Sequence, residues 1–289
     1  MFDPPRGAVR AAVARALAED LTPLGDLSSA LLAPGVTTVA AFVSRADGVL
    51  AGTACAAETL AQVDDGVTCS WSTVDGKPVQ AGQQVGTVTG PLASVLTAER
   101  TALNFLGHLS GIASLTRRFV EAIDAAGGGL RVWDTRKTTP GLRVLEKAAV
   151  RAGGGANHRG NLSDWVMLKD NHLAELGIAE AVRRAHEWYP ARTVHVECDH
   201  IDQVVAALDA AADAVLLDNM TPDQVTECVA LVDERASTPG RARCLVEVSG
   251  GITLETVGRY AVTGADLVSS GALTNSAPVL DIGLDIHEA

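Results

Sequence analysis

Aromatic and basic residues are both scarce in this sequence, and each shortage excludes a class of protein. Aromatic residues make up only 3% of the 289 residues, so alanine, valine and leucine must build the core. Such a core favours helices packed closely on a parallel sheet over an aromatic-rich sandwich. The 23 lysines and arginines are outnumbered by 35 acidic residues, and the resulting net charge of −12 argues against nucleic acid as a main partner.

Cysteine is also rare, and a signal-peptide pattern is missing. The five cysteines are odd in number and form no CxxC pair, which predicts reduced thiols rather than a disulfide framework or a zinc site. The first residues hold no apolar signal-peptide region. Residues 27–44 lack charge, but proline, glycine, serine and threonine interrupt them, so we predict no membrane span. We therefore expect a cytoplasmic protein.

One stretch opposes the acidic character of the chain. Residues 131–172 contain 8 lysines and arginines against 4 aspartates and glutamates, a net charge of +4. A local positive site in an acidic protein indicates a ligand with several negative charges. Solvated surface charges are the alternative explanation. The candidate anion-binding groups are Arg136, Lys137, His158, Arg159 and Lys169.

From residue 130 onward, short apolar segments alternate with amphipathic helix patterns. The segments that we predict as strands are 130–133, 165–168, 193–196, 214–217, 244–248 and 266–269. This alternation predicts a parallel sheet, either a barrel or a doubly wound sheet. In both architectures, ligands bind at the carboxyl ends of the strands.

The N-terminal part has a different pattern. Residues 8–18 have the apolar spacing of a helix, and residues 36–90 contain short β-rich pieces that predict antiparallel strands. A long helix is predicted from about residue 94 to residue 125. Its leucines occupy one face, and Arg100, Asn104 and His108 recur on another face. Small residues beside this polar stripe would let another backbone approach closely.

Polar, charged or glycine residues follow every predicted strand. The fifth and sixth strands end in Ser-Gly-Gly and Ser-Gly-Ala, whose backbone N–H groups suit a phosphate. The predicted phosphate-binding residues are Ser249, Gly250, Gly251, Ser270, Gly271 and Ala272. Glu197 and Asp218 follow the third and fourth strands, where they would coordinate Mg²⁺, hold sugar hydroxyls or stabilise a developing positive charge. Helix caps or salt bridges are the alternative for both carboxylates.

Lys169 allows a second chemistry. A desolvated lysine at the end of a barrel strand can form a Schiff base, as in an aldolase. The cationic residues around it in the sequence favour an anionic ligand instead of a bare carbonyl. A sensor that binds a phosphorylated ligand without turnover is the non-enzyme alternative.

Seven segments share the motifs of one family, in the same order and over most of the chain. They are residues 98–113, 134–159, 168–172, 196–199, 216–220, 249–252 and 271–276. On these segments the chain resembles the quinolinate phosphoribosyltransferase (decarboxylating) family, also called nicotinate-nucleotide pyrophosphorylase. The resemblance implies an α/β fold: an N-terminal α/β sandwich domain (1–112, joined by the C-terminal tail 276–289) and an incomplete α/β barrel of the type II phosphoribosyltransferase kind (113–275).

The resemblance also implies a reaction. The enzyme would transfer the phosphoribosyl group of 5-phosphoribosyl 1-diphosphate to quinolinate with decarboxylation, giving nicotinate mononucleotide, CO₂ and diphosphate for de novo NAD biosynthesis. It would use Mg²⁺ with the diphosphate substrate and no organic cofactor. It would act as a homodimer in which Arg100 reaches the site of the partner subunit. A paralogous pyrophosphorylase of the same fold, acting on another anionic ring, is the alternative.

Individual roles follow from the resemblance. The groups implied to bind the two carboxylates of quinolinate are Arg136, His158, Arg159, Lys169 and Arg100 of the partner subunit. Thr135 adds a hydrogen bond, and Lys137 faces the diphosphate. Glu197 and Asp218 hold the ribose hydroxyls and Mg²⁺, and together with Lys137 they are the implied catalytic groups. Asn275 departs from the family pattern, in which histidine is usual at this position.

Overall fold

The computed structural model describes residues 3–287, which fall into two compact units. The first unit comprises Met1–Arg117, Lys137–Gly155 and Leu273–Ala289 within the described range, and the second comprises Arg118–Arg136 and Ala156–Ala272. This grouping assigns residues 137–155 to the first unit, whereas the sequence-based division at residue 112 assigns them to the barrel. The predicted domain boundaries therefore stay a prediction.

Helices and strands alternate along most of the described chain. The helices are α1 (Arg6–Leu21), α2 (Thr53–Val63), α3 (Leu92–Ala125), α4 (Arg143–Ala152), α5 (Asp170–Leu176), α6 (Ile178–Trp188), α7 (Ile201–Asp209), α8 (Pro222–Ala236), α9 (Val257–Tyr260) and α10 (Ala272–Asn275), with a 3₁₀ helix at Ser29–Leu31. The strands are β1 (Thr37–Ser44), β2 (Gly48–Val49), β3 (Thr68–Trp71), β4 (Pro78–Val79), β5 (Gln84–Pro91), β6 (Arg131–Trp133), β7 (Val166–Leu168), β8 (Val194–Cys198), β9 (Ala214–Asp218), β10 (Leu245–Ser249), β11 (Leu267–Ser269) and β12 (Ile282–His287). Within this part of the chain, every helix is too short or too polar to cross a membrane.

The strand and long-helix predictions are confirmed, but the β-rich segment also contains a helix. Each of the six apolar segments overlaps one of the strands β6 to β11, with ends that agree to within two residues, and α3 begins two residues before the predicted start. The antiparallel strands predicted within residues 36–90 are confirmed, but the sequence analysis did not identify α2, which lies in the same range. Cys55, Ala56, Thr59 and Leu60 form the buried face of α2, a spacing that helical periodicity explains.

An antiparallel sheet forms the centre of the first unit. Its strand order is β12-β1-β5-β3, so the last strand of the described chain pairs with the first. The core against this sheet contains the fully buried Phe42, Leu50 and Leu106. Phe42 also stacks on Trp71 with ring centroids 5.2 Å apart. The unit thus combines an antiparallel sheet with helices, as the fold class predicted.

Small residues on α3 allow a close backbone approach inside the first unit. A Cβ at Gly111 would overlap the carbonyl oxygen of Pro278, and one at Gly107 would lie 3.0 Å from the carbonyl oxygen of Leu280. The Ser110 hydroxyl oxygen accepts a hydrogen bond from the backbone N–H of Ala51 at 2.9 Å. The neighbours of these small residues are therefore extended segments of the same unit.

Strands β6 to β11 form the parallel sheet of the second unit in the order β6-β11-β10-β9-β8-β7. From β7 to β11 each strand lies beside its predecessor, and β11 then pairs with the first strand, β6. A strand order that returns to its start is that of a barrel, whereas a doubly wound sheet reverses direction. Because β6 and β7 stand at the two ends of the order, the barrel is incomplete, which confirms the predicted fold class.

Candidate active site

A loop segment lies along the open edge of the barrel. Ala156 forms an isolated parallel bridge with Trp133 of β6, and its N–H donates to the Val132 carbonyl at 2.8 Å. This bridge extends the sheet past β6 on the side that faces away from β11. The residues that follow Ala156 are therefore brought to the carboxyl end of β6.

A buried carboxylate fixes the residues after that bridge. Asp134 is fully buried and directly follows β6. Its carboxylate accepts hydrogen bonds from the backbone N–H of His158 at 2.9 Å and from the Asn157 side-chain amide at 2.5 Å. His158 and Arg159 are thereby held at the carboxyl edge of the barrel, and each is only 8% exposed.

Two arginines lie close enough to influence each other. Burial lowers the pKa of Arg159 from its ordinary value, and the charge of Arg136 lowers it further, while Glu247, Asp164 and Glu197 oppose the shift. Gathering two guanidinium groups in a partly buried place is unfavourable unless an anion is bound there. Their placement therefore supports the predicted anion site.

Lys169 and Glu197 form an ion pair across neighbouring strands. Lys169 directly follows β7, Glu197 lies near the end of β8, and the lysine ammonium contacts the carboxylate. The Lys169 side chain is 45% exposed. A Schiff-base lysine needs a desolvating pocket, so this environment favours a role as a cation over the aldolase alternative.

Hydrogen bonds join the ends of the neighbouring strands β9 and β10. Asp218 is paired in register with Ser249, and the next residue, Asn219, has the left-handed φ of 57°. The Asn219 side-chain amide donates to Asp218 at 2.9 Å, and its backbone N–H donates to the Ser249 carbonyl at 3.0 Å. Gly250 has φ 89°, and a Cβ there would lie 2.7 Å from the backbone nitrogen of Asn219, so only glycine fits.

The second predicted phosphate turn follows β11. Ser270 is buried, its N–H donates to the Trp133 carbonyl at 3.3 Å, and its hydroxyl donates to the Ile252 carbonyl at 3.3 Å. Gly271 and Ala272 are half-buried. Ser270 therefore holds the turn against Trp133 and Ile252. Phosphate binding stays a prediction, both for this turn and for the Ser-Gly-Gly turn after β10.

Sequence reasoning missed a buried cluster beneath His158. Glu247 of β10 is 1% exposed, and its carboxylate lies 3.1 Å from His158 Nε2 and 3.4 Å from His195 Nε2. The Ser269 hydroxyl donates to the other Glu247 oxygen and lies 3.1 Å from the Ser249 hydroxyl. Burial raises the pKa of Glu247, but the hydrogen bond from His158, the charges of His195 and His158 and the hydrogen bond from Ser269 outweigh it. The net effect is a lowered pKa, so the group is a carboxylate.

The signal for this cluster was present in the sequence. Glu247 interrupts an apolar strand two residues before Ser249, and His195 stands two residues before Glu197. Residues two apart in a strand share a face, so each pair projects to the same side of the sheet. An acidic residue inside an otherwise apolar strand was the clue.

The donor sets decide where a metal ion fits. His158, His195 and Glu247 place three potential ligand atoms within 4.8 Å of one another, but nitrogen-rich sets suit zinc rather than magnesium. Glu197 and Asp218 are half-buried and offer carboxylate oxygens, the ligands that Mg²⁺ prefers. The predicted pair therefore fits magnesium better than the buried cluster does.

Two of the predicted site residues belong to the first unit. Lys137 is exposed and directly follows Arg136, and Arg100 is exposed on α3. Within that unit, His108 Nε2 lies 2.8 Å from the Glu146 carboxylate. Asn104 and His108 also line a cavity of about 600 Å³. The polar stripe of α3 is therefore partly used inside its own unit.

An incomplete parallel barrel with cations, carboxylates and glycine turns at its strand ends is the arrangement that the resemblance to a type II phosphoribosyltransferase implies. Comparison with known families makes this more specific. The C-terminal domain model of quinolinate phosphoribosyl transferase matches residues 112–285, and the N-terminal domain model matches residues 26–110. The chain belongs to the quinolinate phosphoribosyl transferase family.

Individual relatives agree over nearly the whole length. The nicotinate-nucleotide pyrophosphorylase [carboxylating] of Mycobacterium leprae is 41% identical over 99% of this chain and 98% of its own. Quinolinate phosphoribosyltransferase [decarboxylating] 1 of Nicotiana glauca is 38% identical over 94% of this chain and 80% of its own. The solved nicotinate-nucleotide pyrophosphorylase of Francisella tularensis superposes with a TM-score of 0.91 at 35% identity, covering 99% of this chain and 98% of its own.

We expect the protein to lose stability on mild acidification because of His195. Burial lowers the pKa of this imidazole below 6.5, the nearby charges of His158 and Arg159 lower it further, and Glu247 opposes the shift. The unfolded chain therefore binds this proton first, and the free energy of unfolding falls as the pH drops below about 6.5. The contribution of one such group is at most about 1.4 kcal/mol per pH unit.

Urea unfolding between pH 8 and pH 5 measures this effect. The variant His195→Gln should show a shallower pH dependence than the wild type. His186→Gln, at a half-buried histidine of α6, controls for the loss of a histidine as such. An equal pH dependence in the wild type and His195→Gln would contradict the prediction.

Proposed function

We propose that the chain transfers the phosphoribosyl group of 5-phosphoribosyl 1-diphosphate to quinolinate and releases CO₂, forming nicotinate mononucleotide and diphosphate. Family membership supports this reaction. The observation that carries it is the placement of Arg136, His158, Arg159 and Lys169 at the carboxyl ends of neighbouring barrel elements. The product is a precursor of NAD, and cytoplasmic biosynthesis is the context that we propose.

Quinolinate is a planar ring with two adjacent carboxylates, and the cationic groups match that shape. The guanidinium groups of Arg136 and Arg159 can each form paired hydrogen bonds to a carboxylate. His158 and Lys169 add single donors, and Thr135 adds a hydroxyl. Because Arg159 and His158 are buried, they bind with little competition from water.

The second substrate occupies the remaining strand ends. The Ser-Gly turns after β10 and β11 bind the 5-phosphate through Ser249, Gly250, Gly251, Ser270, Gly271 and Ala272. Glu197 and Asp218 hold the ribose hydroxyls, and Lys137 faces the diphosphate. Glu197 and Asp218 would also hold Mg²⁺, which would supply positive charge that favours departure of the diphosphate.

The chemistry proceeds in two steps. The pyridine nitrogen attacks C1 of the ribose, the C1–O bond to diphosphate breaks, and the sugar passes through an oxocarbenium-like state. Glu197 and Asp218 stabilise that positive charge, and Lys137 stabilises the departing diphosphate. The bond between C2 of the ring and the 2-carboxylate then breaks and CO₂ leaves. The electron pair of that bond stays on C2, where the adjacent positive nitrogen stabilises it, and C2 then takes a proton from water. Residues that grip the 3-carboxylate keep the ring in place for this loss.

The assembly that we propose is a homodimer. In it, Arg100 of one subunit completes the quinolinate site of the other subunit. The exposure of Arg100 on α3 supports this role, because its side chain is available to a partner. The division into a sandwich domain (1–112, with the tail 276–289) and a barrel domain (113–275) belongs to the same proposal.

Product analysis tests the reaction, and Arg136 tests the site. Wild-type protein with quinolinate and 5-phosphoribosyl 1-diphosphate should release CO₂ and nicotinate mononucleotide in equal amounts, whereas nicotinate should not replace quinolinate. Arg136→Ala should lower kcat/KM for quinolinate, because the substrate carboxylate loses its charged partner. The loss of transition-state stabilisation should be roughly 2–5 kcal/mol.

The matched control is Arg131→Ala, at an exposed arginine that begins β6, the strand preceding Arg136; it should leave kcat/KM unchanged. A decrease of less than about tenfold in Arg136→Ala would show that Arg136 does not bind quinolinate.

Mixing two inactive variants tests the dimer. Arg100→Ala and Arg136→Ala each damage every site of their own homodimer. If Arg100 acts across subunits, a mixed dimer contains one doubly damaged site and one intact site. Unfolding and refolding an equal mixture should then restore about a quarter of wild-type activity.

The comparison is with each variant refolded alone. Activity equal to the average of the two separate preparations would contradict the role of Arg100 in the partner's site.

A further inference from the structure

Glu247 is a buried carboxylate that the proposed reaction does not use. It is one of the largest fully buried side chains of the described residues, and it lies in the middle of the barrel sheet. An ionised group in such a place costs free energy unless hydrogen-bonded partners compensate. Glu247 has such partners in His158 and Ser269. A buried carboxylate with these two partners therefore points to a role connected with them.

The contact with His158 links Glu247 to the proposed quinolinate site. Glu247 Oε2 lies 3.1 Å from His158 Nε2, which is hydrogen-bond distance. Asp134 fixes the backbone of His158, but it does not fix the rotation of the imidazole ring. Trp133 and Trp165 lie in T-shaped arrangements with that ring, with centroids 6.1 Å and 4.6 Å away. A carboxylate at Nε2 determines both the ring orientation and which nitrogen carries a proton.

Ser269 fixes the carboxylate in turn. Its hydroxyl donates to Glu247 Oε1, so both oxygens of Glu247 are engaged. Ser269 belongs to the neighbouring strand β11, and its pairing keeps it rigid. The orientation of His158 is therefore set by two adjacent strands of the barrel.

We propose that Glu247 is a positioning residue, which orients His158 toward the carboxylates of quinolinate through the hydrogen bond at Nε2. This inference rests on the proposed function, since it assigns His158 to that substrate. The negative charge of Glu247 cannot itself attract a dianion. Its contribution to quinolinate binding is therefore geometric, and it depends on the reach of the side chain more than on its charge.

Two variants separate reach from charge. Glu247→Asp keeps the charge but shortens the side chain by one methylene, which withdraws the carboxylate from Nε2. Glu247→Gln keeps the length and an acceptor oxygen but removes the charge. Glu247→Asp should raise KM for quinolinate by at least about tenfold, and Glu247→Gln should raise it by less than about threefold. KM for 5-phosphoribosyl 1-diphosphate should change by less than about threefold in both variants.

NMR reports which nitrogen of the His158 imidazole carries a proton, without need of enzyme turnover. Imidazole ¹⁵N–¹H correlations, assigned with His158→Asn, should show His158 of the wild type and of Glu247→Gln protonated at Nε2. In Glu247→Asp this preference should be lost. If Glu247→Asp does not fold, Ser269→Ala replaces it, and a rise of at least about threefold in quinolinate KM is expected there.

The results that would contradict the role of Glu247 differ from those that would contradict the proposed function. An unchanged quinolinate KM in Glu247→Asp, or an equal rise for both substrates, overturns the positioning role. A larger defect in Glu247→Gln than in Glu247→Asp shows that charge acts instead of reach, and it also overturns the inference. If the wild type forms no nicotinate mononucleotide, the proposed function fails, while the His158 spectrum still tests the Glu247 contact.

Discussion

Cations that repel one another are concentrated at the carboxyl ends of the barrel strands, and the surrounding structure has to hold them there. Burial lowers the pKa of Arg159, and the neighbouring positive charge of Arg136 lowers it further. Carboxylates offset part of it, since Glu197 pairs with Lys169 and Glu247 lies beside His158. In the function that we propose, a planar dianion supplies further counter-charge at this place.

The incomplete barrel explains how these groups come together. A closed barrel would pair β6 with β7, but here the strand order begins with one and ends with the other. Ala156 bridges to the free edge of β6 instead, and Asp134 anchors the two residues after it. A loop thus brings His158 and Arg159 to an edge that strands alone could not supply. The opening in the barrel is a condition for the site, because it admits this loop.

Much of the fold and part of the site could be predicted from the sequence. The six apolar segments identified β6 to β11, because short runs between amphipathic helices are typical of parallel strands. The rule that parallel strands end at one edge then placed Lys169 and Glu197 close together, and the structure pairs them. Gly250 was predicted to bind phosphate, which stays a prediction, and its left-handed φ explains why glycine is required there.

Other features depend on contacts between distant residues, which periodicity does not reveal. Glu247 contacts His158 across 89 positions of the chain, so no local pattern connects them. The helix α2 was missed because the strands around it dominated the interpretation of that region. The grouping of residues 137–155 with the first unit likewise depends on packing. Sequence patterns identified the charged groups, whereas the groups that orient them required the structure.

The central claim is that the cations of the second unit recognise two adjacent carboxylates on a planar ring. Calorimetric titration with phthalate tests it, because phthalate has both carboxylates of quinolinate but lacks the nitrogen that would allow turnover. Benzoate, with one carboxylate, is the matched comparison. The account predicts that phthalate binds at least about tenfold more tightly than benzoate, a difference of about 1.4 kcal/mol. Equal affinities for the two ligands would contradict it.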